Sequence, residues 1–372
     1  LVNVDDINPW LTSEEACQRL GIRSQTLYAY VSRGRLTPRR EGRRSLFSVD
    51  ELDRLAAKGR RGTRQARLEV LIDTEVTLLD PAGRLFYRGV DVASLAGSWS
   101  YERTAEWLWA GVDHGEPPAW VAPARWASLA GVAVGALPAD RLRVAVAAIA
   151  TEPGERSDAE AGRALVPALV EALPVVGSAA PLSSSVAARL WPRLTALAPT
   201  PARIAVLDAA LVLLADHELA VSTVAVRVAS SSQASPIGCV LAGLATHAGT
   251  KHGGVSRGLQ RALAAGEPVR GGFGHAVYTV EDPRATLLFD LLRPVVPAAR
   301  WRSVEAARAQ GERANVDLAL GAMAVCLDMV DGAAEAVFAL ARVAGWLAHA
   351  AEERDRPFRF RPRASYVGPP PV

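Results

Sequence analysis

The fold is decided by the run GGFGHAVYTVEDPR, Gly271 to Arg284, and by Ala314-Asn315-Val316-Asp317 further along the chain. In the first run His275 follows a glycine, and the missing side chain lets a ligand approach both backbone and imidazole. Two other histidines sit in similar polar or Gly-rich interruptions of apolar sequence, in Asp216-His217-Glu218 and Lys251-His252-Gly253-Gly254. The chain has only six histidines, the remaining three being His114, His247 and His349. Taken singly, such a histidine is ordinarily structural. Asp317 stands just before an apolar helical stretch, where an aspartate serves equally well as a plain N-cap. Around these stretches, Ala/Leu/Val segments recur at helical spacing over 158–173, 202–216, 236–246, 318–330 and 333–350. Leu68 to Tyr87 is the exception, with β-prone residues and a turn at Asp80 to Gly83. Pro-rich stretches at 117–123 and 196–201 read as loops between helices. The fold class expected is mainly α.

The chain has 372 residues and is 50% hydrophobic, enough for a substantial core and incompatible with wholesale disorder. Cys17, Cys239 and Cys326 are odd in number and far apart. They form neither a disulfide framework nor a metal-binding pair, which points to a reducing compartment and to no metal. No signal peptide and no membrane span is expected, so the location expected is cytoplasmic. Of the 42 basic residues 40 are Arg and only Lys58 and Lys251 are Lys, the bias of a GC-rich genome.

Charge divides the chain. Residues 1–62 carry 12 basic and 8 acidic side chains, whereas the remainder is nearly balanced. Between Arg33 and Arg44 six Arg face one Glu. Thr12-Ser-Glu-Glu15 is a capping box opening a first helix that stops at Gly21, and Ser24 caps a second helix ended by Gly34. Leu36 to Val49, with Gly42 at its tip, fits a β-wing, and Ser48 to Glu51 opens a third helix through Leu55. Lys58 to Thr63 reads as a linker. This order of elements resembles the winged helix-turn-helix of MerR and excisionase-type DNA-binding domains. Such a domain would place Gln25, Thr26 and Tyr28 against base edges and Arg39, Arg40, Arg43 and Arg44 against phosphates of duplex DNA. The alternative is a small helical appendage with a solvated basic face.

From about residue 67 to 368 the ordered motifs resemble the citrate synthase family. They are Asp-His-Glu at 216–218, His-Gly-Gly at 252–254, the 272–278 run, Asp282-Pro283-Arg284 and Asn315-Val316-Asp317. They are joined by the helix Ala341 to His349, the tail Arg361 to Tyr366, and Tyr87-Arg88-Gly89 upstream. The resemblance implies a two-domain all-α homodimer, its large part about 67–253 and 330–372 and its small part about 254–329, closing over oxaloacetate and an acyl-CoA. Asp317 matches the family's catalytic base, His252 the donor to the thioester oxygen, and His275 the group polarising the oxaloacetate carbonyl. His217, Arg284, Arg342 and Arg361 match oxaloacetate ligands, Arg361 coming from the other subunit. No cofactor is implied beyond acetyl-CoA or propionyl-CoA as co-substrate.

Two departures stand out. Ala220 replaces a frequent Asn, and Val255-Ser256-Arg257 replaces the usual Ala-Asn-Glu. The stretch between Trp120 and Pro201 is short and its helices are not matched to the family's. Two functional classes follow. One is an acyltransferase making citrate or 2-methylcitrate from oxaloacetate and acetyl-CoA or propionyl-CoA. The other is a DNA-binding regulator whose citrate synthase-like body senses a metabolite.

Overall fold

The computed structural model describes residues 10–20, 22, 24–32, 34, 36–42, 44–52, 72–126, 135–152, 154–177, 180–356, 360 and 368. The expected linker, Arg43, Arg361, the tail motif and the third helix beyond Leu52 lie outside the described residues, as does the side chain of Gln25. Contacts divide the chain into two compact units, Leu1–Ile72 and Asp73–Val372.

In the first unit Thr12 N and Oγ1 donate to Glu15 Oε2 at 2.8 Å each, and Glu15 N donates back to Thr12 Oγ1. This is the expected capping box, and the helix Ser13–Leu20 grows from it. A second helix, Ser24–Ser32, packs on the first through fully buried Ala16 and Leu27. The wing is the antiparallel pair Arg39–Glu41 and Arg44–Ser48, with Gly42 at its tip in the left-handed region, φ +61°. A strand unforeseen in the sequence, Trp10–Thr12, pairs with the other edge of Arg44–Ser48. Three residues are too few to carry a periodic signal. Phe47, Leu36 and Leu52 complete the small core beneath this sheet.

The second unit opens with the antiparallel strands Thr77–Asp80, Arg84–Tyr87 and Val90–Asp91. Its first turn is the one expected: Gly83 N bonds Asp80 O, and Ala82 N bonds the Asp80 carboxylate. Helices follow throughout. Those expected are found at Asp158–Glu171, Pro201–Leu214, Pro236–His247, Val316–Cys326 and Ala333–Arg354. The expected 318–330 helix starts and stops earlier. Asp328 adopts φ +49°, and the chain swings off to bridge Met329 to Thr195. The expected 202–216 helix likewise ends at Leu214, which leaves Asp216 and His217 in a turn. The poorly matched stretch before Pro201 contains the helices Pro138–Ile149, Asp158–Glu171 and Val186–Leu194.

Ala333–Arg354 is the axis of this unit. It is buried on every side, as a largely apolar helix must be, and among the described residues eight other helices pack on it. Small residues allow the close approaches. Gly345 N donates to Ala215 O at 2.9 Å. A Cβ there would stand 2.2 Å from Asp216 Oδ1 and 2.5 Å from Ala215 O. Gly345→Ala is therefore expected to push the 215–217 turn off the helix and to destabilise the protein by about 1–3 kcal/mol, the usual range for overpacking. Urea unfolding checks this, and an unchanged midpoint contradicts it.

Candidate functional site

Where the Pro201–Leu214 helix ends, the turn carrying His217 is pinned from three directions. Asp216 accepts Thr77 Oγ1 at 2.6 Å, Glu218 N at 3.0 Å and His349 Nε2 at 3.1 Å. His349 Nδ1 faces the Arg227 guanidinium at 2.7 Å. Arginine cannot accept a hydrogen bond, so Nδ1 accepts and Nε2 carries the proton given to Asp216. Arg227 is in turn held by Glu353 at 2.8 Å and by Glu352. Burial pushes the Asp216 carboxyl upward, but His349, Arg342 and Thr77 outweigh it and hold it below the ordinary value.

The glycine-rich run is stitched to the start of Val316–Cys326. Gly274 N donates to Arg313 O, Asn315 N to Gly272 O, and Asn315 Nδ2 to Gly274 O at 3.1 Å. Gly272 has φ +81°, and a Cβ there would crowd Leu259 and Leu318 at 3.0 Å. His275 and Asp317 thereby come to one cavity. The helix cap is Asn315, whose Oδ1 accepts Asp317 N. Asp317 is thus freed from capping, and its Oδ1 is buried with no partner among the described residues.

That cavity holds about 180 Å³ and brings together His217, His252, His275, Arg284, Asp317 and Arg342. Arg284 is locked by Asp282, Nε to Oδ1 at 3.0 Å and Nη2 to Oδ2 at 2.8 Å. Arg342 differs: its Nε donates to Leu214 O at 2.8 Å and its guanidinium lies over the Phe338 ring, while among the described residues the buried Nη1 and Nη2 have no hydrogen-bond partner. A buried guanidinium left half-paired is costly unless a ligand anion completes it, and its fork suits a carboxylate. Burial lowers the Arg342 value to about 10.

All three imidazoles are neutral near pH 7. Burial, then Arg284 and Arg342, holds His217 far below its ordinary value. Burial and Arg342 bring His252 to about 4, and burial and Arg284 lower His275. His275 Nδ1 accepts the Val277 and Tyr278 amides at 3.1 and 3.3 Å, so its proton sits on Nε2. Ser222 Oγ lies 2.8 Å from His252 Nε2 and 3.3 Å from Trp346 Nε1. Because the indole can only donate, the Ser222 proton is free for His252 Nε2, which leaves Nδ1–H on His252.

Ser222, Asp282, Asn315 and Trp346 carry no role in the sequence reading. Asp282, Asn315 and Trp346 lie inside the family-like motifs, whereas Ser222 is 30 residues from its partner and has no local signal. Ala220 and Val255 give the cavity apolar wall, and Arg257 turns to Glu335, 3.1 Å away. In the first unit Arg39, Arg40 and Arg44 are exposed on the wing, and Tyr28 is 53% exposed. Thr26 is half-buried, and Arg39 lies over the Trp10 ring. Among the described residues no group of three metal-ligating side chains occurs and no helix is long and apolar enough to cross a membrane.

The citrate synthase C-terminal domain model matches residues 67–266 and 255–363. The chain belongs to the citrate synthase family. A helix-turn-helix domain model matches residues 10–60. A citrate synthase of Acidithiobacillus ferridurans is 29% identical over 348 residues, covering 77% of this chain and 90% of that one. A 2-methylcitrate synthase of Mycobacterium tuberculosis is 24% identical, covering 80% and 89%. The citrate synthase of the archaeon Thermoplasma acidophilum, solved as a ternary complex with carboxymethyl coenzyme A and oxaloacetate, superposes with TM-score 0.62 at 21% identity, covering 83% and 96%. The mainly helical fold is thus that of citrate synthases, as the motifs led us to expect.

Burial raises the Asp317 carboxyl to about 7, Arg284 and Arg342 opposing but not cancelling it. A carboxyl raised in this way contributes stability that is full below its unfolded value of about 4 and lost as pH rises through about 7. Asp317→Asn is therefore expected to melt higher than wild type at about pH 8, the gain closing as pH falls toward about 4. Calorimetric melting across that range checks this, and a pH-independent difference contradicts it.

Proposed function

We propose that this member of the citrate synthase family condenses oxaloacetate with a short-chain acyl-CoA, acetyl-CoA or propionyl-CoA, and hydrolyses the thioester to citrate or 2-methylcitrate and CoA. The observation carrying this reading is the convergence, in one cavity with three neutral histidines, of Asp317 Oδ1 and the terminal guanidinium nitrogens of Arg342, which have no hydrogen-bond partner among the described residues. Asp317 takes the proton from the carbon beside the thioester carbonyl, a role favoured by a carboxyl poised near working pH. His252 Nδ1–H meets the thioester oxygen as negative charge develops there. His275 Nε2–H polarises the oxaloacetate ketone, which becomes the tertiary alcohol when the enol carbon attacks. Water then cleaves the thioester, and CoA leaves as the thiol. Arg342 and Arg284 hold the carboxylates, with His217 beside them. The closure of a large part on a small one, the homodimer, and Arg361 as a ligand given across it belong to the same proposal.

Thiol release with oxaloacetate and each acyl-CoA tests the reading. Wild type is expected to release CoA with one or both. Asp317→Asn is expected to lose roughly 10²–10⁴-fold in kcat, the usual contribution of a positioned base, while still binding oxaloacetate. No release with either acyl-CoA overturns the proposal.

A second reading, duplex DNA binding by the first unit, is favoured by the exposed Arg39, Arg40 and Arg44 on its wing. Guanidinium–phosphate contacts release counterions, each adding about −0.9 to the log–log salt slope. Arg40→Ala with Arg44→Ala is expected to flatten that slope by roughly 2 while leaving thiol release unchanged. Changes at Tyr28 should alter sequence preference instead. Anisotropy on duplexes selected from a random library measures both, and no enrichment with no binding at about 50 mM salt reduces the unit to an appendage.

A further inference from the structure

Tyr278 stands between two of the cavity's histidines. Its hydroxyl lies 3.1 Å from His217 Nε2, and its backbone N–H donates to His275 Nδ1 at 3.3 Å. Its ring lies against both imidazoles, with centroids 4.6 Å from His275 and 5.7 Å from His217. The side chain is only 2% exposed. Burial pushes its phenol pKa upward, so the hydroxyl keeps its proton. Among the described residues His217 Nε2 is the only hydrogen-bond partner of that hydroxyl. A buried O–H without an acceptor loses the full desolvation penalty. The proton therefore points to Nε2, which must accept it with its lone pair. A neutral imidazole that accepts on one nitrogen carries its hydrogen on the other.

We infer that Tyr278 is a positioning residue that presets the two imidazoles as opposite tautomers, His217 as the Nδ1–H form through its hydroxyl and His275 as the Nε2–H form through its amide. Each histidine then keeps one N–H donor free of protein partners among the described residues. The cavity offers two neutral donors beside its guanidinium groups. A keto-diacid needs this combination: cations at its carboxylates, an uncharged donor at the keto oxygen between them, and a second beside a carboxylate. Neutral donors also hold their geometry without adding charge repulsion to Arg284 and Arg342. The inference rests on the proposed oxaloacetate site for its purpose, but its geometry stands without it.

The test is the imidazole 15N spectrum of full-length protein labelled at histidine, with His217 assigned by its loss in His217→Asn. Wild type is expected to show the Nδ1–H pattern at His217 and the Nε2–H pattern at His275. Tyr278→Phe keeps the ring and the amide but removes the hydroxyl. It is expected to move His217 to the Nε2–H form or to a mixture, while His275 stays unchanged. In turnover, KM for oxaloacetate is expected to rise roughly tenfold, with kcat within about threefold of wild type, since the groups doing the chemistry are untouched. A general loss of structure would instead lower kcat and shift both histidines. Finding His217 as Nε2–H in wild type overturns the inference, as does a tautomer unmoved by Tyr278→Phe. If the variant fails to fold, the wild-type spectrum alone still overturns the inference should His217 be the Nε2–H form. Because it needs no turnover, absence of CoA release would count against the proposed reaction and not against this role of Tyr278.

Discussion

A single buried carboxylate, Asp216, ties together the parts on which the site depends. Its Oδ2 receives a strand residue (Thr77), the turn that bears His217, and the central helix through His349. Leaving such a charge unpaired would cost several kcal/mol, so each partner is under strong constraint. The constraint explains local oddities. Glu218 accepts φ +53°, a conformation disfavoured for a residue with a Cβ, because its amide must reach Asp216. Gly345 has no side chain because any Cβ would occupy the place of the carboxylate. Behind His349, Arg227 of the helix Val221–Ser231 extends the chain of partners to Glu353 on the central helix.

On the other side of that turn the polar groups are deliberately incomplete. Asp216 Oδ2 and both oxygens of Asp282 receive donors; among the described residues Asp317 Oδ1, the terminal nitrogens of Arg342 and Asp216 Oδ1 are buried without hydrogen-bond partners, and of these residues Asp317 and Arg342 line the cavity. Native interiors seldom leave such groups unpaired unless a ligand completes them. The imidazoles are the opposite case, each anchored on one nitrogen by a neutral neighbour: Ser222, Tyr278 or a pair of backbone amides. Burial then keeps them uncharged beside two arginines. The result is a small cavity with cationic, neutral-donor and basic walls, each fixed by a different element.

How much of this was legible in the sequence follows from the range of the interactions. Helices with long apolar periodicity, such as Ala333–Arg354, declared themselves, as did the capping box at Thr12 and the Asp80–Gly83 turn. The residues meeting in the cavity were recognisable from their ordered motifs, because glycine and histidine adjacency is a local signal. Helix ends were less legible. Beyond Cys326 the chain turns at Asp328 so that Met329 bridges Thr195, far away in the chain, and no local pattern announces that. Ser222, Trp346 and Arg227 act only through neighbours brought by the fold, so their roles emerge in three dimensions. Trp10–Thr12 became a strand because the wing offered it an edge, a tertiary effect on three residues without periodicity.

Whether the half-paired Arg342 guanidinium takes a substrate carboxylate, as proposed, is tested most directly by calorimetric titration of oxaloacetate into wild type and Arg342→Leu. Two charge-assisted hydrogen bonds of about 1.5–3 kcal/mol each predict an affinity loss of roughly 100-fold or more in the variant. Equal affinity in the two proteins, with the variant folded, would contradict the account.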